Sequence, residues 1–334
     1  MTGKRNDLPA SYRDIPLPPD WLHVIRVRKG WSRELKYRVA TRSRRPCLLR
    51  VRPGGVLAAH QQEFDFVLRL YERGLPVPRP HVLGETALGQ ATFMLLDWLK
   101  GRDLNAVMRG ISPCGQYRLG LEAGLILRGI HDTPRLLGNQ PTRDIREKSL
   151  DKIRKFEEAG LQVEGAAGAL AFVRRHITWL GTQAPVCQHG DFHPGNLIYS
   201  SEGRLQVIDF NRWDVGDPVE EFYKLQSFTI DHSVPFAVGQ LHGYCGGDPD
   251  DAFWQSLAVH VAVSSLYSIR WATPFGPHEV AGMAARCARA LSDYAGFTRL
   301  VPAWYRSPAK AAAWAQDETA WVASGRHQTQ RRKT

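Results

Sequence analysis

The stretch from Gln188 to Phe210 constrains this chain more than any other part of it. It reads Gln188-His189-Gly190-Asp191-Phe192-His193-Pro194-Gly195-Asn196-Leu197-Ile198-Tyr199, then a Ser201-Glu202-Gly203 turn, then Leu205-Gln206-Val207-Ile208-Asp209-Phe210. The pattern predicts a loop that ends in Asn196, runs into a strand, turns on Gly203, and returns as a buried strand whose end presents Asp209. Such a hairpin is expected to bring Asn196 and Asp209 together. An amide oxygen and a carboxylate are hard ligands, too few for a calcium cage but suited to a magnesium ion that keeps its waters and takes other ligands from phosphate. Asp191 precedes Asn196 on the same loop and is expected on the substrate side. There a carboxylate can accept a hydroxyl proton while positioning the attacking oxygen.

The order Asp, four residues, Asn, then a strand-end Asp follows the logic of a kinase catalytic loop and its metal-binding aspartate. The same residues closely resemble the aminoglycoside phosphotransferase and choline kinase-like family. Its H-G-D-x-H/x-x-x-N pattern is matched by His189-Gly190-Asp191-Phe192-His193-Pro194-Gly195-Asn196, and its I-D pair followed by a G-D-P triplet by Ile208-Asp209 with Gly216-Asp217-Pro218. The resemblance implies a two-lobed, α+β, protein-kinase-like fold, with an antiparallel sheet plus one helix in the N-lobe and a mostly helical C-lobe. It implies Asp191 as the catalytic base, Asn196 and Asp209 as Mg2+ ligands, and Asp217 as a brace for the loop after the metal aspartate. His189 takes a loop-bracing role, and His193 is open between touching substrate and packing.

The surrounding chain supplies the other expected parts. Residues 1–20 read as a polar, proline-rich flexible leader, 21–99 as the N-lobe, 100–322 as the C-lobe and 323–334 as a basic flexible tail. Strand-like runs cover His23–Val27, Leu35–Thr41, Pro46–Arg52, His81–Leu83 and Thr92–Trp98, and a helix is expected over His60–Arg73. Gly30 and Ser32 match a phosphate-covering turn whose backbone N–H groups would meet phosphate oxygens. Arg50 and Glu63 match the family's strand cation and helix carboxylate, an ion pair that would aim the cation at the α- and β-phosphates. The protein-kinase pattern has Lys at the strand position, so Lys36 and Arg52 stay open as alternatives. Leu96, Asp97 and Trp98 form the expected hinge, holding an adenine or guanine ring through backbone groups. Helices are expected over Tyr117–His131, Ala166–Leu180, Glu220–Tyr244 and Asp251–Tyr294. Asp209-Phe210-Asn211 stands where a mobile activation loop would begin with aspartate-phenylalanine-glycine.

Charge bears on the partner. The chain has 44 Lys plus Arg against 33 Asp plus Glu, a formal net charge of +11. A basic surface attracts any polyanion, including a triphosphate, so nucleic acid is not the expected partner on charge alone. His193, Asp214, Glu220 and Glu221 are the candidate substrate contacts, the acids either forming a pocket for a cationic acceptor or stabilising a helix start. The five cysteines form no C-x-x-C pair and no zinc-like cluster. No apolar run approaches the roughly 20 residues of a membrane span, and a cytoplasmic protein is expected.

The expected activity is transfer of the γ-phosphate of ATP or GTP to a hydroxyl of an aminoglycoside-like antibiotic. A sugar, an amino alcohol or another small metabolite is the alternative acceptor. A non-catalytic kinase-like binding protein is the reading from another class. A protein kinase acting on Ser or Thr is disfavoured by the short interval between Asp209 and Asp217-Pro218.

Overall fold

The computed structural model describes residues 6–28, 34–43, 45–135 and 144–314. The chain divides into two compact units, one formed by Met1–Gly101 with Ser200–Asn211 and the other by Arg102–Tyr199 with Arg212–Thr334. The return strand of the motif hairpin therefore belongs with the N-terminal unit, not with the C-lobe to which the sequence assigned it.

The first unit is built on an antiparallel five-stranded sheet, β1 (Trp21–Val27), β2 (Leu35–Thr41), β3 (Cys47–Pro53), β4 (Pro80–Glu85) and β5 (Ala91–Asp97), in the order β1-β2-β3-β5-β4. Period-two alternation divides its faces. Leu49 and Val51 of β3 join Val24, Tyr37, Val39, Phe93 and Leu95 in one core, while Arg50 and Arg52 alternate with them. That core also takes in Leu8 and Ile15, each 4% exposed, and Asp7 N donates to Val24 O at 2.9 Å. The leader read as flexible is thus packed over residues 6–20. Burying an aliphatic side chain stabilises by about 1.5–3 kcal/mol, enough to order a short segment when two act together.

Helix α1 (Leu57–Glu72) buries His60, Glu63, Phe66, Val67 and Leu70, one stripe at helical spacing. Strand β9 (Leu205–Val207) is tied to the same unit by Val207 N donating to Pro76 O at 2.8 Å. Phe210 follows it and packs edge-on against Phe66 with centroids 6.0 Å apart.

The second unit is mostly helical: α2 (Leu104–Met108), α3 (Pro113–His131), α4 (Ile145–Glu158), α5 (Ala166–His176), α6 (Val234–Cys245), α7 (Asp251–Ala272), α8 (Pro277–Asp293) and α9 (Pro308–Ala311). Two short antiparallel pairs complete it, β6 (Arg102–Asp103) with β8 (Leu197–Tyr199) and β7 (Val186–Gln188) with β10 (Asp214–Gly216). Helix α7 buries residues around its whole circumference, as the central helix of a bundle must. Helices α3 and α6 meet backbone to backbone. A Cβ at Gly120 would lie 2.3 Å from Phe236 O, one at Gly124 2.3 Å from Gln240 O, and one at Gly243 2.2 Å from Leu121 O. Only glycine permits this approach. Among the described residues no helix is long and apolar enough to cross a membrane.

Candidate active site

In the second unit, the β7–β10 pairing sets Gln188 opposite Asp214 and so holds the loop after β7 beside the segment from Arg212. Gly190, at φ +79, makes that possible, because a Cβ there would lie 1.9 Å from Arg212 O. The loop is pinned from below by Glu221, whose two carboxylate oxygens accept from His189 N and Gly190 N, each at 2.8 Å. Glu221 is 3% exposed, and His131 Nε2 stands 3.5 Å from it. Burial raises the Glu221 pKa, but the His131 contacts and the loop amides outweigh it and hold the carboxylate ionised.

Each polar group of the loop has a defined use. Asp191 N donates to His189 Nδ1 at 3.1 Å, and the His189 ring stands edge-on to Phe192. Asn196 Nδ2 donates to Asp191 O at 2.9 Å, which leaves its Oδ1 as the acceptor end of the amide. His193 Nδ1 accepts from Gly195 N at 3.1 Å, and its ring packs against Phe228. Burial holds the His193 pKa down at about 4 against the pull of Asp191, so the ring is neutral at physiological pH.

The Asp191 carboxylate faces cations. Lys224 Nζ donates to its Oδ1 at 2.5 Å, and Arg212 Nη1 stands 3.8 Å from Oδ2. Burial raises the Asp191 pKa, yet Lys224, with His193 and Arg212 behind it, brings the net value down to about 2. Burial alone would lower the Lys224 pKa, but Tyr223 and Asp191 overcome it and keep the ammonium charged. Lys224 directly precedes a π-helical turn, Leu225–Thr229, a distortion that often marks functional positions.

The acids left open between a substrate pocket and a helix start have these partners. Glu220 is occupied by Lys148 at 2.9 Å and Lys152 at 3.2 Å, both on α4; burial raises its pKa, and the two lysines bring it to about 2. Glu221 is the loop brace, and Asp214 Oδ1 accepts from Val215 N at 2.8 Å. Asp217 accepts from Gly181 N at 3.0 Å and Val219 N at 2.9 Å, with His260 Nε2 at 3.4 Å.

The first unit carries its own charged set. Asp209 sits at φ +70, a conformation non-glycine residues rarely adopt and one that clusters at functional sites. Its Oδ2 accepts from Lys36 Nζ at 2.9 Å, and its buried Oδ1 has no hydrogen-bond partner. A buried carboxylate oxygen left unpaired is costly, and a hard cation would satisfy it. Asp209 thus fits a magnesium ligand on its own geometry, as Asn196 does through its remaining oxygen.

Arg50 is differently placed. Its guanidinium bonds Glu34 at 2.8 and 3.0 Å and Glu63 at 2.5 Å, and its side chain is only 5% exposed. The Arg50–Glu63 pair is present, but Glu34 closes round the arginine as a third member, so three of its five N–H donors are engaged and the buried guanidinium is held by two carboxylates. Arg52 also bonds Glu34 and Glu63, at 3.3 and 3.2 Å, and is 30% exposed. Lys36, opposite Arg50 across the β2–β3 ladder, is the cation that reaches Asp209.

Of the residues expected to form a hinge, Leu96 is buried. Asp97 N and Trp98 N donate to Arg79 O and Pro46 O, at 2.9 and 3.0 Å, and Asp97 Oδ1 lies 2.7 Å from His81 Nε2. Those two N–H groups are therefore committed within the unit. Gly30 and Ser32 lie outside the described residues.

Three charged partners lie outside the local motifs. Lys224 is 33 positions from Asp191, Glu34 is 16 positions from Arg50, and Lys148 belongs to a helix, α4, absent from the expected set. Its apolar stripe of Ile145, Ile153 and Phe156 behind an Asp144 cap is the signal that would have found it.

Residues 23–257 match the model of a phosphotransferase enzyme family. No curated protein matches the chain. Among solved structures it is similar to the GDP complex of wild-type aminoglycoside 2'-phosphotransferase-IIIa, at 16% identity and TM-score 0.63, over 80% of this chain and 92% of that one. Amicoumacin kinase in complex with AMP-PNP, Ca2+ and Ami is similar at 13% identity and TM-score 0.59, over 83% and 90%. A choline/ethanolamine kinase family protein from Mesorhizobium loti is similar at 17% identity and TM-score 0.58, over 82% and 90%. These structures agree with the chain in fold, and the family match covers most of its length. The chain therefore belongs to the phosphotransferase enzyme family and is a phosphotransferase with an alcohol group as acceptor.

Proposed function

We infer that this chain is a small-molecule kinase that moves the γ-phosphate of ATP or GTP onto a hydroxyl, with Asp191 aligning and deprotonating that hydroxyl. The observation that carries this is the Asp191 carboxylate, held ionised by Lys224 on a loop whose amides are fixed by Glu221. A carboxylate with a pKa of about 2 is a weak base, so its main work is to orient the attacking oxygen and take the proton late. Lys224, which holds Asp191 in place, would also draw charge on a phosphoryl group transferred at Asp191.

Asn196 and Asp209 are the proposed Mg2+ ligands, and Lys36 is the proposed phosphate cation in place of Arg50. Bound magnesium would neutralise charge on the phosphates. Asn196 presents Oδ1 because its NH2 is engaged by Asp191 O, and Asp209 presents an otherwise unpaired Oδ1. His189, Asp217 and Glu221 hold the loop. His193, neutral and packed on Phe228, lines the acceptor side.

The aminoglycoside acceptor suggested by the family resemblance has less support than a neutral or acidic one, because Glu220 and Glu221 are both consumed by partners of their own. The test is magnesium-dependent ATP and GTP consumption against aminoglycosides, amino alcohols, sugars and sugar acids. Acceptor-stimulated turnover that disappears in Asp191→Ala supports the kinase. Nucleotide-independent ligand binding with no turnover on any acceptor would replace it with a binding protein.

A further inference from the structure

Beside Asp191 the second unit has a cleft of about 150 Å³ whose wall includes Lys148, Lys152, Arg212, Glu220 and Lys224. Two of its three carboxylates are engaged by partners. Lys148 and Lys152 both bond Glu220, and Glu221 accepts from two loop N–H groups, whereas the exposed Asp214 accepts through Oδ1 from Val215 N. Its cations are not saturated. An ammonium carries three N–H donors, and Lys148 and Lys152 use one each on Glu220 while remaining 26% and 21% exposed. Arg212 is 51% exposed, and its 3.8 Å separation from Asp191 is beyond hydrogen-bond distance, so the fork of its guanidinium faces the cleft undercommitted.

The cleft therefore offers donors and positive charge a short distance from the carboxylate that would align the acceptor hydroxyl. A cationic acceptor would have to place its ammonium groups among four like charges, with Asp214 as the one exposed carboxylate of the wall to receive them. A planar or tetrahedral oxyanion would instead meet a guanidinium suited to bidentate contact and two lysines suited to point-charge contact. We propose that the acceptor is a small hydroxyl compound bearing a carboxylate or phosphate group, which docks on Arg212, Lys148 and Lys152 while its hydroxyl meets Asp191. This rests on the kinase reading for the hydroxyl, but the anion site stands on the cleft itself.

The experiment uses the full chain and matched acceptors on one carbon skeleton: glucose, gluconate, glucose 6-phosphate and glucosamine, with the equivalent glycerol, glycerate and glycerol phosphate set. Turnover with Mg-ATP is paired with calorimetric titration of the same compounds into protein saturated with AMP-PNP. The acidic members should exceed the neutral ones at least tenfold in kcat/KM and the amino sugar about a hundredfold. Gluconate against glucose 6-phosphate separates the carboxylate from the phosphate source. Arg212→Glu should cost the acidic compounds at least tenfold in affinity and the neutral ones less than threefold. Because Arg212 is half exposed, this variant should fold, as circular dichroism would verify; Lys152→Gln repeats the test on the other wall.

If no compound is phosphorylated but anion binding is lost in Arg212→Glu, the anion site stands and the kinase reading falls. If glucose or glucosamine is phosphorylated as well as the acids and Asp191→Ala stops it, the kinase stands and this inference falls. Anion binding indifferent to both Arg212→Glu and Lys152→Gln also overturns it.

Discussion

Lys224 Nζ lies 2.5 Å from Asp191 Oδ1. The lysine side chain is 5% exposed and the aspartate 20%, so two charges are paired where water screens them little. This contact explains how a largely buried carboxylate stays ionised. It also puts a permanent positive charge where the hydroxyl, the γ-phosphate and the aspartate are proposed to meet.

Lys224→Met should reverse the Asp191 shift. In the native protein Asp191 titrates near 2, below the ordinary carboxylate value of about 3.9, so its charge is constant above roughly pH 4. Without Lys224 the largest contribution opposing burial is gone, leaving His193 and the more distant Arg212. The pKa should rise above the ordinary value, and kcat should fall about 10–100-fold with its acidic limb moved to higher pH. Lys224→Arg should restore much of the rate.

The same substitution makes a stability prediction with a defined sign. A depressed native pKa contributes stability that is present above the unfolded pKa and lost as pH falls toward 2. In Lys224→Met the native pKa lies above the unfolded one, so Asp191 destabilises at pH 7 and is relieved on acidification. Urea midpoints at pH 7 and pH 3 should therefore differ less in the variant than in the native protein.

Lys36 and Arg50 should separate cleanly. Arg50→Ala leaves Glu34 and Glu63 buried without their main counter-charge, which typically costs about 3–5 kcal/mol and should lower the melting temperature sharply. Lys36→Ala leaves a partly buried Asp209 without its counter-charge and should cost about 1–3 kcal/mol, less than Arg50→Ala. It should raise the nucleotide KM roughly tenfold and make the Mg2+ requirement steeper. An unchanged KM in Lys36→Ala would move the phosphate role to Arg52.

The sheet was the most legible part of the fold because its alternation and its turns agree. Leu35–Thr41 is a strand as expected, and Pro46–Arg52 becomes Cys47–Pro53. The long helical readings were less faithful. Asp251–Tyr294 is two helices broken at Gly276-Pro277, and Glu220–Tyr244 is a short turn, a π-helical turn and then α6 after the Ser233 cap. Periodicity continues through such breaks, because both pieces face one core. At the site, local motifs exposed Asp191, Asn196 and Asp209, whereas their partners come from distant elements. Overlooking α4 hid Lys148 and Lys152, and with them the neutralisation of Glu220, which is why an acidic pocket looked plausible from sequence.

Glu221→Gln should be more damaging than an isosteric change suggests. Two N–H donors, from His189 and Gly190, now meet a carboxylate, and an amide has only one oxygen to offer them. Leaving a buried donor unpaired costs about 1–3 kcal/mol. The loop bearing Asp191 should loosen, so hydrogen exchange at Gly190 and Asp191 should rise and kcat should fall while nucleotide KM stays within about threefold.

The glycine contact between α3 and α6 should transmit to the same loop. A Cβ at Gly124 would stand 2.3 Å from Gln240 O and 2.5 Å from Tyr244 N, both backbone atoms that no rotamer change can move. Gly124→Ala must therefore push the helices apart, at a cost of about 1–3 kcal/mol or more. Tyr244 hydroxyl lies 2.8 Å from His131 Nδ1, and the other ring nitrogen of His131 faces Glu221. Separation at Gly124 should then weaken the brace under Asp191 and lower kcat as well as stability. Gly282 in α8 is the matched control, exposed and with no atom within 4 Å of the point a Cβ would occupy. There the same change should stabilise by about 0.4–1 kcal/mol through reduced unfolded-chain entropy and leave kcat unaltered. Urea denaturation and steady-state rates on the two variants distinguish a specific close contact from a general intolerance of alanine for glycine in helices.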